Sequence, residues 1–441
     1  MNRRKIYFII SFVATLLLTQ SSCIKEYTNP SAITNLQVVS SVDGLTGLVN
    51  GLQFRYSVGR QSPLYEGFSA SGLVTNELKV LNLGNTDELN LGAGLAAVLP
   101  NNSIVNQLWT QSYAMMNESN LILDNINIVA DANMKAVISG YGSFYKAMAL
   151  GTLATYFEKM PLTVGKSQVF SSREDALKSA ISLLESAESG LSSLSSATIA
   201  TLSSGRFVPG FDLKNSVIAL QARFNLMLKD YTKALAAANK VDLKVKSAFR
   251  FDAVNANPVY FVSYSNRNVL EPTNKNLGLP TALVLDTLDK RIPFYLNPAA
   301  SGTVNLGFGH FRSNTTDIPV YLPGEMILIK AECLAQSDIA GAIAQLNNVI
   351  KKKATEDAWG IGADIAAGYT GAATKDAVLT EIYRQRCIEL CNSGLRLDDS
   401  RRLGRPGPDQ AASIRERGRN FFPYPQAERD NNSNTPTDPT L

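Results

Sequence analysis

The stretch "IVNQLWTQSYAMMNESNLILDNI", residues 104–126, decides how the chain is read. Its Trp109, Tyr113, Met116, Asn120 and Leu123 recur at steps of four, three, four and three, the spacing of one helix face. The segment that follows, "ANMKAVISGYGSFYKAMALGTLATYF" at 132–157, repeats the pattern through Met134, Val137, Tyr141, Phe144 and Met148 and stops before Pro161. Two such faces joined by a short connection predict an antiparallel helix pair. Gly140, Gly142 and Gly151 on the second helix are expected to face large residues on the first, letting the backbones approach.

The same grammar extends outward. In "SSREDALKSAISLLESAESGL", Ser171 and Glu174 form a capping-box pattern, and Leu177, Ile181, Leu184 and Leu191 mark a buried stripe. An Ala-rich pair follows from Leu213, turning at Asp230. Another spans "GEMILIKAECLAQSDIAGAIAQLNNVIKKK", with a Ser337-Asp338 cap before Ile339, Ile343, Leu346 and Ile350. Serial helix pairs of this size resemble tetratricopeptide units. The fold class is therefore mostly α: a tetratricopeptide-like helix-pair superhelix carrying a variable, loop-rich region with a few short strands. The scaffold is assigned to about 36–56, 101–243 and 323–400. Helical periodicity fails in 57–100 and 244–322, which are rich in Gly, Asn, Pro, Ser and aromatics and are read as ligand-facing insertions. The end of the chain, 403–441, reads as coil, polar from Asp430 onward.

The N-terminus is of another kind. Arg3, Arg4 and Lys5 precede an apolar run from Ile6 to Leu18, and Ser21 and Ser22 then lead to Cys23. The run is too short for the ~20 residues of a comfortable span and fits a cleaved signal over 1–22. A cysteine directly after the small pair resembles a bacterial lipobox, with Cys23 lipidated as the first residue of the mature chain, 23–441; Gln20 stands where leucine is usual. Firm anchoring by acyl chains takes more than one chain.

With 45% hydrophobic and 18% charged residues among 441, the composition is that of an ordinary globular protein. The net charge of +4 falls to +1 once a segment with three basic and no acidic residues is removed, so no basic field for nucleic acid is left. Cys387 and Cys391, four apart on a helical pattern, sit at about 5–6 Å between Cβ atoms, too far for a bridge; with Cys333 they read as buried thiols. No serine elbow, dinucleotide loop or Walker lysine is present, and His310, in "GFGHFRSN", is the single imidazole. Asp398 and Asp399 are neighbours in sequence and poor partners for acid/base work. The charged run 384–402 reads as a solvated helix face with intrachain ion pairs. Binding without conversion follows, with no cofactor, no metal and no catalytic residue.

Several segments together resemble the SusD/RagB family of outer-membrane nutrient-binding lipoproteins. They are the order Trp109, Tyr113, Asn120; the turn "TYFEKMPL"; "DIPVYLPGEMILIKAECLA" with its Lys330, Ala331 and Glu332; "EIYRQRCIELCNSGLRLDDSRRLG"; and the closing "FFPYPQAERDNN". In the fourth, Arg386, Glu389, Leu390, Gly394, Arg396, Asp398 and Arg402 fit the family pattern, while Gln385 and Ser393 stand where glutamates are usual, which puts local salt bridges in question. The resemblance implies a cell-surface lipoprotein capping a SusC-like TonB-dependent transporter, and a glycan cargo, or in some members a peptide. A sugar ring stacks its C–H face on an aromatic while Asn, Asp or Arg bond its hydroxyls. Candidates of those types are Tyr65 and Phe68 in the first insertion and Tyr260, Tyr264, Arg267, Phe308, His310 and Arg312 in the second. A helical-repeat scaffold for a surface protein complex is the rival reading; a surface hydrolase is the third.

Overall fold

The computed structural model describes residues 38–262, 269–297 and 306–441. Cys23 and the signal segment, and the candidates Tyr264 and Arg267, lie outside them. The helices are α1 (Val42–Ser57), α2 (Pro63–Val74), α3 (Thr86–Ala93), α4 (Ser103–Asp124), α5 (Ala132–Tyr156), α6 (Arg173–Gly190), α7 (Ser196–Ser203), α8 (Leu213–Met227) and α9 (Tyr231–Lys240). After an irregular region containing α10 (Pro258–Tyr260) and α11 (Arg291–Tyr295) come α12 (Pro323–Leu334), α13 (Ile339–Ile350), α14 (Lys375–Glu389), α15 (Arg396–Arg402) and α16 (Gln426–Asn431). Helices α4, α5, α6, α8, α9, α12 and α13 each pack on the next in that order, and α14 closes on α12 and α13. This is the helix-pair array that the periodicity predicts.

Capping explains where the helices begin. Asn102, Asp131, Asp212, Asp230, Asp338 and Thr374 each accept a backbone N–H of the first turn. For α6 the cap is one residue later than the sequence pattern suggests: Ser172, not Ser171, accepts from the Asp175 N–H. In α4 the buried face also differs from the expected one. Ser112, Met115, Ser119 and Ile122 are fully buried beside Leu108, whereas Tyr113, Asn120 and Leu123 sit half-buried at its margin. Small serines at a tight helix contact carry no apolar signal, so the sequence pattern tilts toward the larger residues beside them. Of the glycines in α5, only Gly142 faces α4, through Ile122 and Leu123; Gly140 faces Leu191 and Leu213, and Gly151 meets the Phe224 ring of α8.

Among the described residues there are four two-stranded antiparallel ladders, three of them with strands in the irregular region. They pair β1 (Leu78–Val80) with β5 (Leu270–Pro272), β2 (Lys159–Met160) with β3 (Ser171–Ser172), β4 (Ala248–Phe249) with β8 (Ile318–Pro319), and β6 (Leu296–Asn297) with β7 (Gly307–Phe308). The first joins the two stretches read as insertions. Residues 57–100 are less irregular than their composition suggests, because α2 is buried along almost its whole length and belongs to the main core.

The motif segments converge in two places. At one, Trp109 packs on Phe157, Phe170 and Tyr424, with ring centroids 4.8, 5.9 and 6.1 Å away, and its indole N–H donates to Glu428 at 3.3 Å. The Tyr113 hydroxyl donates to the Pro161 carbonyl at 2.8 Å. The end of the chain is thus not loose coil: the Phe422 N–H donates to Tyr156 O at 2.8 Å, and past Asp430 the Asn432 carboxamide donates to Gln168 O and Asp438 accepts from the Tyr424 N–H.

The second convergence corrects the reading of 384–402 as a solvated face. Arg386, Glu389, Arg396, Asp398 and Asp399 are all buried, and the Arg402 side chain is only 3% exposed. Arg402 donates to both Glu332 oxygens at 2.7 and 2.9 Å, to Asp398 at 2.9 Å and to Asp399 at 2.8 Å. Asp399 also receives Arg386 at 2.8 Å, and Asp398 receives Arg173 at 2.5 Å and Arg401 at 3.2 Å. Burial alone would raise the Asp398 carboxyl, but Arg173, Arg401 and Arg402 outweigh it and hold it well below the ordinary carboxylate range. Beside this network Glu389 receives Arg291 at 2.8 Å and Lys352 at 2.6 Å. Gln385, in the place of a glutamate, still accepts from Arg291 at 2.5 Å. Gly324 is required here: a Cβ would lie 1.7 Å from Glu389 Oε1. Cys333, Cys387 and Cys391 are free and buried, and burial raises all three thiols.

Candidate ligand-binding site

Asn257 organises the exposed edge of the irregular region. Its side-chain oxygen caps α10, accepting from the Val259 and Tyr260 N–H groups at 2.9 and 3.0 Å. Its Nδ2 donates to Thr316 O at 2.7 Å, and its own N–H donates to Asn314 O at 2.8 Å. One fully buried asparagine thereby holds the turn 257–262 against the loop 312–316. On the turn, Tyr260 is half-exposed and the adjacent Phe261 is 57% exposed. Adjacent residues on a helical turn point about 100° apart, so a Tyr-Phe pair cannot bury both rings on one side. On the loop, Arg312 and Thr315 are exposed, with Ser313 and Asn314 half-exposed. An apolar ring surface flanked by guanidinium, hydroxyl and carboxamide groups is the donor set that a sugar or another polar, ring-containing ligand requires.

Beneath this shelf four of the candidates belong to one continuous run of rings. Tyr65 lies 6.0 Å from Phe68, Phe68 5.8 Å from Phe308, and Phe308 6.3 Å from Phe311. Phe311 lies 5.1 Å from His310, which stacks on Phe294 at 4.9 Å. Tyr65, Phe68 and Phe308 are buried, with 1–3% exposure, so they support the shelf from inside. His310 is half-buried; its burial, with a smaller contribution from Lys246, lowers its basicity despite a hydrogen bond involving Asp317.

Tyr260 and Arg312 are therefore the candidates at the surface, and sequence reasoning missed Phe261 and Asn257. The density of aromatics in "VYFVSY", 259–264, was a usable signal for the first. The acids of this region have other work. Asp252 accepts the N–H groups of Asn255 and Val254, which lower its carboxyl, and Asp317 faces Arg250 at 3.7 Å. Among the described residues, no group of three or more His, Cys, Asp or Glu side chains is placed to hold a metal ion. No described helix is long and apolar enough to cross a membrane.

Behind the run of rings is a cavity of ≈ 130 Å³ between α2, α5, α8 and the turn after α14. Phe68, His310 and Phe311 form part of its wall.

No protein-family model and no curated protein sequence matches this chain. Solved structures do. A SusD superfamily protein from Bacteroides fragilis is 17% identical with a TM-score of 0.68, over 89% of this chain and 98% of its own. A SusD homolog from Bacteroides thetaiotaomicron is 11% identical with a TM-score of 0.67, over 93% and 99%. A SusD-like carbohydrate binding protein from Bacteroides vulgatus is 15% identical with a TM-score of 0.67, over 89% and 97%. The chain has the SusD-like fold across most of its length, as the motif resemblance implies.

Proposed function

We propose that this protein is a cell-surface lipoprotein that binds an oligosaccharide or polysaccharide on the shelf formed by 257–262 and 312–316 and passes it to a SusC-like TonB-dependent transporter. The observation that carries the reading is the exposure of Phe261 beside Tyr260, on a turn fixed by Asn257 to a loop of Arg, Ser, Asn and Thr. An aromatic ring left in water at a pinned position, as Phe261 is, next to hydroxyl-binding groups, suits a carbohydrate better than a packed protein core. That one solved protein of this fold is described as carbohydrate binding supports the same direction. The ligand is held and not cleaved: glycoside hydrolysis takes a pair of carboxyl groups flanking the bond, and Asp252 and Asp317 are already committed to a turn and an ion pair.

Lipidation at Cys23 would keep the protein at the membrane. A ligand held at a transporter mouth then has a high effective concentration for entry. The test is a panel of soluble glycans and peptides titrated into the purified protein, with chromatography of the recovered ligand. One glycan bound and recovered intact supports the reading; peptide binding alone, or shortened glycan products, overturns it. Mass spectrometry of the mature N-terminus separately tests the anchor, where an unmodified Cys23 contradicts it. Co-purification of a TonB-dependent transporter from native membranes tests the partner.

A further inference from the structure

Among the described residues, one buried side chain in the wall of the cavity behind the aromatic run has no hydrogen-bond partner at either end of its carboxamide. Around most of its wall the hydroxyls are turned away: Thr152 and Thr155 donate to the carbonyls of Met148 and Gly151, Tyr156 to Gly67 O, and Tyr295 to Glu389 O. Arg223 and Glu325 face each other through two hydrogen bonds of 2.6 and 2.8 Å. Asn392 is different. It lines the cavity and is 9% exposed, and among the described residues neither the oxygen nor the nitrogen of its carboxamide has a hydrogen-bond partner. Its backbone is held in place, with φ +64° and its N–H donating to Glu77 Oε1 at 2.8 Å. A buried carboxamide left unpaired at both ends is costly, and proteins seldom keep one without a partner.

Volume and chemistry together fit one class of partner. A cavity of ≈ 130 Å³ has room for several waters, which compete for Asn392 with any larger occupant. An apolar cavity of about 150 Å³ accepts a benzene ring. The larger part of the wall is ring and aliphatic surface, from Phe68, Met148, Phe224, Phe249 and Leu390, beside Tyr56, His310 and the Arg223–Glu325 pair. We infer that this cavity is a second binding site, separate from the glycan shelf, for a small uncharged aromatic molecule bearing one group that both donates and accepts a hydrogen bond, a phenol or an aromatic carboxamide, anchored on Asn392. The ring fills the apolar space, and the polar edge pairs with both ends of the carboxamide.

The experiment uses the full-length protein with benzamide, phenol and toluene as probes, read by ligand-observed NMR and by the shift of the thermal transition. Benzamide and phenol are expected to bind about tenfold more tightly than toluene, the ratio given by two modest net hydrogen bonds. Asn392→Gly keeps a residue that adopts positive φ without strain while removing the carboxamide; it is expected to abolish that preference and retain toluene. A second variant, Val259→Phe, narrows the cavity and is expected to weaken all three probes. No binding of any probe at millimolar concentration, or equal affinity of wild type for benzamide and toluene, overturns the inference. So does a preference that survives in Asn392→Gly. Glycan binding on the shelf is unchanged in Asn392→Gly, so failure here and failure of the glycan reading give different results.

Discussion

Replacing Arg402 by methionine keeps most of the side-chain volume and removes the cation at the centre of the buried network. The consequences differ among its three partners. Asp399 retains Arg386 at 2.8 Å, and Asp398 retains Arg173 at 2.5 Å and Arg401 at 3.2 Å. Glu332 has no other ion pair among the described residues, and it is 0% exposed. Arg402→Met therefore leaves one uncompensated buried carboxylate, a change that costs about 3–5 kcal/mol. Adding Glu332→Met removes that carboxylate and replaces the pair by apolar contact, which is often neutral, so the double variant is expected to recover most of the loss. Guanidinium chloride unfolding at constant m reads both values as midpoint shifts. A loss below about 1 kcal/mol in the single variant, or a double variant no better than the single, would refute the view that the motif residues Glu332 and Arg402 form one buried electrostatic unit.

Two further perturbations test other parts of the fold. Burial, reinforced by Glu88 and opposed by Arg60, raises the Glu66 carboxyl to about 8 from an ordinary 4.5. Because the folded value lies above the unfolded one, its contribution to stability is complete below about 4.5 and is lost as pH rises through about 8. Glu66→Gln should match wild type near pH 4 and exceed it by a few kcal/mol above pH 8, since each tenfold difference in proton affinity between the folded and unfolded chain is worth ~1.4 kcal/mol. A gap that does not grow with pH contradicts this. Gly151→Ala places a Cβ 2.2 Å from the Phe224 ring. It should lower stability by about 1–3 kcal/mol by forcing α5 and α8 apart, measurable by the same denaturation.

The helical array was legible because a 3.6-residue period survives wherever large apolar residues mark the buried stripe, as in α5 and α6. It blurred where the contacts are small or charged. Ser112 and Ser119 bury fully in α4 yet look polar, which moved the inferred face toward Tyr113 and Asn120. The run 384–402 looked solvated because charge density in one segment says nothing of partners elsewhere. Glu332, Arg173, Arg291 and Lys352 come from four distant points in the chain and turn a charged helix into core. The candidate site was legible as a region and only partly as exposed residues. Aromatic type and loop context selected Phe308 and Phe68, whose burial depends on the packing of α2 beneath the second irregular stretch. They passed over Phe261, which is exposed on the turn that Asn257 caps.

The most direct test is calorimetric titration of the bound glycan into wild type and into a triple variant, Tyr260→Ala, Phe261→Ala and Arg312→Ala, with unfolding followed in parallel. These side chains lie at the surface, so the variant should unfold as wild type does while its affinity falls at least about tenfold. An affinity that stays unchanged in a normally folded triple variant would show that the shelf does not hold the ligand.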